Sequence, residues 1–96
     1  MQIEERRLGE TQIELTTLGL GGAPLGNFQT PVDEDGALAT IDLAYQSGVR
    51  YFDVAPQYGH GLAEHRFGHI LRRYSRESYI LASKVGRLCI PDANVA

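Results

Sequence analysis

The sequence predicts an α/β fold: an N-terminal β-hairpin followed by strand, helix, strand, helix and strand. Three observations lead there. Short apolar runs at 18–22, 49–53 and 79–85 begin about 30 residues apart, the length of a strand–helix–strand unit. Between them lie two stretches whose apolar residues recur at helical spacing. The strand-like runs do not alternate apolar with polar, which suits strands buried on both faces of a parallel sheet.

The hairpin is expected from about residue 6 to about residue 16. Leu8-Gly9-Glu10-Thr11-Gln12-Ile13 has a turn-like centre, and Ile13, Leu15 and Thr17 share one face. Leu18-Gly19-Leu20-Gly21-Gly22 then reads as a strand running into a glycine-rich end. Glycines 19, 21, 22 and 26 invite comparison with the dinucleotide fingerprint GxGxxG, which fails in detail. Counted from Gly19, the template needs glycine where Pro24 stands, and Pro24, Asn27 and Pro31 prolong the loop where a helix should open. The glycines instead let a backbone pass close to a ligand or another strand.

A helix is expected to start near Val32-Asp33-Glu34, with Asp33 as N-cap and the acidic pair at the positive end of the helix dipole. Ala37, Ile41, Ala44 and Tyr45 form its apolar stripe, and Gly48 ends it. The second strand, Val49-Arg50-Tyr51-Phe52-Asp53, carries a carboxylate in an apolar run. Pro56, Gly59 and Gly61 punctuate the loop beyond it, which holds Tyr58. A charge closing a buried strand, followed by a phenol on a glycine-bounded loop, is how a site is built at the end of a parallel strand. The alternative is that Asp53 caps a turn and Tyr58 packs on the surface.

Ala63, Phe67, Ile70, Leu71 and Tyr74 form a second stripe, predicting a helix from about residue 62 to about residue 74. Ser75-Arg76-Glu77-Ser78 is a polar connection. Tyr79-Ile80-Leu81-Ala82-Ser83-Lys84-Val85 is the third strand, ending in a lysine, with Gly86 and Pro91 marking the loop after it. The three strand ends thus carry Gly21-Gly22, Asp53 and Lys84, and in parallel α/β architecture all three lie on one edge, where sites form.

Composition narrows the function classes. With 96 residues, 43% of them apolar and 22% charged, the sequence is that of one small domain or a piece of a larger one. A formal net charge of -3 offers no basic footprint for nucleic acid. No apolar run approaches the roughly 20 residues that span a bilayer. The charged start Met-Gln-Ile-Glu-Glu-Arg-Arg is unlike a signal peptide, and the lone Cys89 excludes an internal disulfide framework, so a reducing, cytoplasmic setting is expected. His65 and His69 stand at i, i+4, but HExxH would need Glu where Arg66 stands. The inverted motif is also missed, because His60 and Glu64 are one residue too far apart. Surface roles, or roles supporting a site from behind its own residues, are expected for all three histidines ahead of metal binding, and Cys89 reads as a passive thiol.

Phe52-Asp53-Val54-Ala55-Pro56-Gln57-Tyr58-Gly59, followed by Glu64 and Gly68, resembles the signature of the aldo-keto reductases. Arg7-Leu8-Gly9-Glu10-Thr11, Leu18-Gly19-Leu20-Gly21 and Ser83-Lys84-Val85-Gly86 follow the family's order and spacing, so the resemblance runs from about residue 6 to about residue 91. Leu20-Gly21-Gly22-Ala23-Pro24-Leu25-Gly26-Asn27 and Lys84-Val85-Gly86-Arg87-Leu88 are similar, more narrowly, to the D-threo-aldose (L-fucose) dehydrogenase and pyridoxal dehydrogenase branch.

The resemblance implies a TIM (β/α)8 barrel, closed at its bottom by the hairpin, that moves a hydride between NADP or NAD and a carbonyl or sugar substrate. It implies catalytic roles for Asp53, Tyr58 and Lys84, and nucleotide contacts from Gly22, Ala23 and Asp53. The chemistry fits: oxygen gains negative charge as hydride reaches the carbonyl carbon, so it needs a proton donor. A phenol, ordinarily near pKa 10, serves once an ammonium sits beside it; Lys84 can be that ammonium and Asp53 can hold it. Val54 and Ala63 stand where the family commonly has Thr and Ser. The fourth catalytic group, a His, belongs to a strand beyond residue 96.

A barrel takes eight strands and about 250 residues, so residues 1–96 are expected to be a partial domain, the N-terminal third of such an enzyme. Two function classes follow. One is part of an NAD(P)-dependent oxidoreductase. The other is a catalytically silent fragment or interaction module, self-associating through open strand edges.

Overall fold

The computed structural model describes residues 2–91. Strands β1 (Glu5–Arg7) and β2 (Glu14–Thr16) pair antiparallel, with Arg6 opposite Leu15. Their turn closes through Leu8 N–H to the Ile13 carbonyl (2.8 Å), and the Thr11 hydroxyl donates to the Leu8 carbonyl. Thr16 is buried and ties this hairpin to the rest: its Oγ1 donates to the Leu18 carbonyl and accepts from the Arg50 amide.

Strands β3 (Leu20–Gly21), β4 (Tyr51–Asp53) and β5 (Ile80–Ala82) form a parallel sheet in that order. Gly21 stands opposite Asp53, and Asp53 opposite Ala82, so the three C-terminal ends share one edge. Helices α1 (Glu34–Gln46) and α2 (Leu62–Leu71) are the two crossovers.

Asp33 caps α1 as its sequence suggests, accepting from the Gly36 amide. The other end closes as a Schellman motif. Gly48 N–H bonds the Tyr45 carbonyl and Val49 N–H the Ala44 carbonyl, each at 3.0 Å, with Gly48 at φ 106°. A positive φ there suits glycine, which has no Cβ to clash.

The core lies between the sheet and both helices. Ala37 and Ile41 of α1, Phe52 of β4, and Ala63, Phe67, Ile70 and Leu71 of α2 are all buried. Phe52 meets Phe67 and Tyr79 edge-to-face, with ring centroids 6.1 and 6.2 Å apart, a favoured aromatic geometry.

Three expectations need correction. The second helix stops at Leu71 rather than running to residue 74. Arg73 and Tyr74 bond back three residues, to Ile70 and Leu71, tightening the chain out of the α-helix. Tyr74 still extends the apolar stripe because its ring stacks on Tyr45 at 3.6 Å, while its hydroxyl bonds Asp42.

The strands are also shorter than their apolar runs. Leu18 is exposed before β3 begins, and Lys84 lies two residues past β5. Nor is the sheet buried on both faces. In β4 only Phe52 is buried, and Leu81 of β5 is 39% exposed, since β5 is an outer strand. A run of apolar residues reports the covered state of a sheet, and this chain supplies only part of the cover.

Candidate functional site

The site lies at the shared C-terminal edge of the sheet. Asp53 is the last residue of β4, and its backbone is fixed from both sides. Its carbonyl accepts from the Gly22 amide (2.7 Å), and the next amide, Val54, donates to the Ala82 carbonyl (2.9 Å).

Lys84 arrives just after β5. Its Nζ donates to Asp53 Oδ1 at 2.8 Å and to the Val54 carbonyl at 3.1 Å. Among the described residues no hydrogen bond reaches the other carboxylate oxygen of Asp53. The Lys84 pKa is raised above the ordinary lysine value, chiefly because the Asp53 carboxylate accepts its hydrogen bond; the Tyr58 hydroxyl adds to this and partial desolvation opposes it. The pair is half-open to water, with side chains 47% and 41% exposed.

Tyr58 sits on the loop between β4 and α2. Its amide bonds the Ala55 carbonyl and its carbonyl accepts from the Ala63 amide. Gly59, His60 and Gly61 follow at φ 71°, 53° and 96°, a left-handed run that turns the chain sharply into α2. The Lys84 Nζ lies 5.1 Å from the centroid of the Tyr58 ring. Asp53, Tyr58 and Lys84 are therefore gathered in one place, though 31 positions separate the first from the last.

Gly22 is buried beneath this cluster. A Cβ there would lie 2.9 Å from Val54 Cγ1 and 3.0 Å from a Phe67 ring carbon, so glycine is required by protein packing. Its amide already bonds the Asp53 carbonyl, whereas Ala23, which opens the 3-10 turn Ala23–Gly26, is partly exposed. Beside the cluster is a cleft of about 250 Å³ lined by Ala55, Pro56, Gln57, Lys84, Val85 and Arg87.

The histidines do not join this site: His69 Nδ1 lies 3.2 Å from an Arg72 guanidinium nitrogen, and His60 and His65 are exposed. Among the described residues no three His, Cys, Asp or Glu side chains group to hold a metal ion. Cys89 is exposed, with Sγ 3.4 Å from the Pro56 carbonyl.

One residue escaped the sequence reading. Arg66 is 4% exposed and fully engaged. The signal was its place in the stripe of α2, between Ala63 and Ile70, where an arginine has no business unless it is paired.

The aldo/keto reductase family model matches residues 17–95. The chain belongs to the aldo/keto reductase family. This aldo/keto reductase segment is 47% identical over 85 residues to a pyridoxal 4-dehydrogenase of Microbacterium luteolum, covering 88% of this chain and 25% of that protein. It is 41% identical to an L-galactose dehydrogenase of Arabidopsis thaliana (90% and 28% covered) and 38% identical to a D-threo-aldose 1-dehydrogenase of a Pseudomonas species (83% and 24%). It superimposes on the holo form of an aldo-keto reductase from Bacillus halodurans with a TM-score of 0.77 at 34% identity, over 88% of this chain and 26% of that one. The aldo/keto reductase segment thus spans about a quarter of the length of the relatives it matches, and its hairpin and three parallel strands are the first part of their barrel.

Proposed function

We propose that this chain supplies the N-terminal part of an NAD(P)-dependent oxidoreductase, with Asp53, Tyr58 and Lys84 as its share of the catalytic group. The observation that carries this is the Lys84–Asp53 ion pair at 2.8 Å, set against the Tyr58 ring. A nicotinamide cofactor, NADP or NAD, supplies or accepts the hydride when bound. The residues present suit one end of such a cofactor: the unengaged Asp53 oxygen can accept from a hydroxyl or carboxamide, and Ala23 lines the approach. The 250 Å³ cleft falls short of the roughly 300–1,000 Å³ of a small-molecule site, so the residues present hold only part of such a cofactor.

In the reductive direction the Tyr58 hydroxyl gives its proton to the carbonyl oxygen as charge develops there. In the oxidative direction it takes the proton from the substrate hydroxyl. Lys84 stabilises negative charge near the phenol oxygen, and Asp53 keeps the ammonium charged and in place. An aldose oxidised at its anomeric carbon to a lactone, or pyridoxal, is the proposed substrate, following the activities named for the relatives. A reducing, cytoplasmic setting suits the free thiol of Cys89.

The test is a completed barrel, with this chain grafted in place of the matched quarter of the Microbacterium luteolum pyridoxal 4-dehydrogenase. Tyr58→Phe in that barrel should lower turnover by about 100-fold or more while nucleotide binding holds. Turnover within a few-fold of the parent graft overturns the assignment.

A second reading has its own support. Strands β3 and β5 pair with no further strand among the described residues, and Val85, Leu88 and Ile90 are largely exposed beside β5. By itself the chain is then an interaction module whose open edges recruit a second copy.

A further inference from the structure

Arg66 is a buried cation that the proposed proton transfer does not use. Its three nitrogens are all engaged: Nε to Glu34 Oε1 (2.8 Å), Nη1 to the Leu25 carbonyl (2.8 Å) and Nη2 to the Val32 carbonyl (2.9 Å). Those acceptors lie at the two ends of the loop joining β3 to α1 and in the first turn of α1. Arg66, anchored on α2, therefore clasps both ends of one loop.

That loop touches the Tyr58 loop backbone to backbone. A Cβ on Gly26 would lie 2.5 Å from the Tyr58 carbonyl carbon and oxygen, and one on Gly59 would lie 2.5 Å from the Gly26 oxygen. Gly26 follows Leu25, the residue whose carbonyl Arg66 holds.

We propose that Arg66 is a positioning residue for Tyr58: by clasping the Leu25–Val32 loop it seats Gly26 against the Tyr58 peptide and so sets the phenol's position beside Lys84. This rests on the reading of Tyr58 as proton donor. The physical case is that the Tyr58 loop has few anchors of its own. Apart from 3.4 Å contacts of Arg87 with Gln57 and of Cys89 with the Pro56 carbonyl, residues 55–61 bond to one another and to the start of α2, so the contact with Gly26 supplies a wall that the loop does not make for itself. A fork of parallel N–H donors fixes a loop in angle as well as distance, which a lysine's point charge does not.

Were the role of Arg66 only to fill space and satisfy carbonyls, its replacement would change stability and leave the split between binding and turnover untouched. The test uses Arg66→Lys and, independently, Gly26→Ala in the completed barrel described above, with Tyr58→Phe alongside. The expected result is a fall in kcat of about tenfold or more for each, since misplacement of a reacting group by about 1 Å can cost about 100-fold. Nucleotide Kd should stay within about twofold of the parent graft by the same reasoning, because it is orientation and not binding that is lost.

An unchanged kcat in both variants, while Tyr58→Phe abolishes turnover, overturns the positioning role alone. A parallel loss of kcat, nucleotide affinity and melting temperature in both variants also overturns it, marking Arg66 as a merely structural clasp. Retained turnover in Tyr58→Phe overturns the proton-donor reading and this proposal with it.

Discussion

Asp53 and Lys84, 31 positions apart, meet through a 2.8 Å ion pair across the ends of two neighbouring parallel strands. The sheet register makes this possible: Asp53 stands opposite Ala82, which places Lys84 two residues further along at the same edge. The Lys84 pKa is raised above the ordinary value of 10.5, chiefly by this carboxylate.

Removing the carboxylate should therefore lower it. In Asp53→Asn, the NMR titration midpoint of the Lys84 side chain is expected to move down toward 10.5. Since the folded value lies above the unfolded one, the stability contributed by the pair is fully present below the unfolded value and is lost as pH rises through the folded value. Denaturation of the parent and Asp53→Asn proteins should thus converge at strongly alkaline pH. A midpoint unmoved by the substitution refutes the coupling.

Two glycine-to-alanine changes should act with opposite sign. Gly48→Ala forces a side chain onto φ 106° in the Schellman motif, and a loss of about 1–2 kcal/mol is expected. Gly68→Ala lies at an exposed position of α2, where a Cβ meets nothing within 4 Å, and a gain of about 0.5–1 kcal/mol is expected. Urea titration of both variants in the completed barrel measures the pair, and equal shifts would contradict the backbone argument.

Phe52→Ala should be the most damaging single truncation. Phe52 is 0% exposed and wedged between Phe67 and Tyr79. The expected cost is about 3–5 kcal/mol, a large share of the total for any small domain. In the completed barrel, loss of near-ultraviolet circular dichroism and of a cooperative melt would show it, and a melt within a degree or two of the parent graft would not be compatible with this packing.

The 96-residue chain by itself is expected neither to bind a nicotinamide cofactor tightly nor to transfer hydride. It is expected to melt with weak cooperativity and to self-associate, because β3 and β5 leave their outer backbone groups unpaired among the described residues. Calorimetry with and without NADP, with light scattering, tests this. A sharp monomeric melt raised several degrees by the cofactor would reverse the expectation.

Much of the fold was legible because each element carries a local instruction. The Asp33 cap, the Gly48 stop and the stripes of Ala37–Ile41 and Ala63–Phe67–Leu71 are short-range patterns, and the structure realises them. The juxtaposition of Asp53 with Lys84 was legible too, since parallel topology sends every strand end to one edge.

What periodicity could not show was depth. Residues 83–85 read as a continuation of the strand, yet pairing stops at Ala82, opposite the end of β4 at Asp53, and among the described residues no fourth strand continues the ladder. Nor could spacing show that Gly22 and Gly26 face protein. Glycine permits close approach to any neighbour, and only the packed backbone says that the neighbours are Phe67 and Tyr58.

The Leu25–Val32 loop has a closed neck. Besides the Arg66 clasp, Asn27 Oδ1 accepts from the Val32 amide at 2.9 Å, while Phe28, Gln29, Thr30 and Pro31 stand exposed outside it. Such a neck insulates what it closes. Residues 28–31 are therefore expected to accept substitution or lengthening in a laboratory library, with the positive φ of Gln29 a backbone constraint among them. Each added residue raises the closure entropy only slowly, and the frame beneath does not have to be rebuilt.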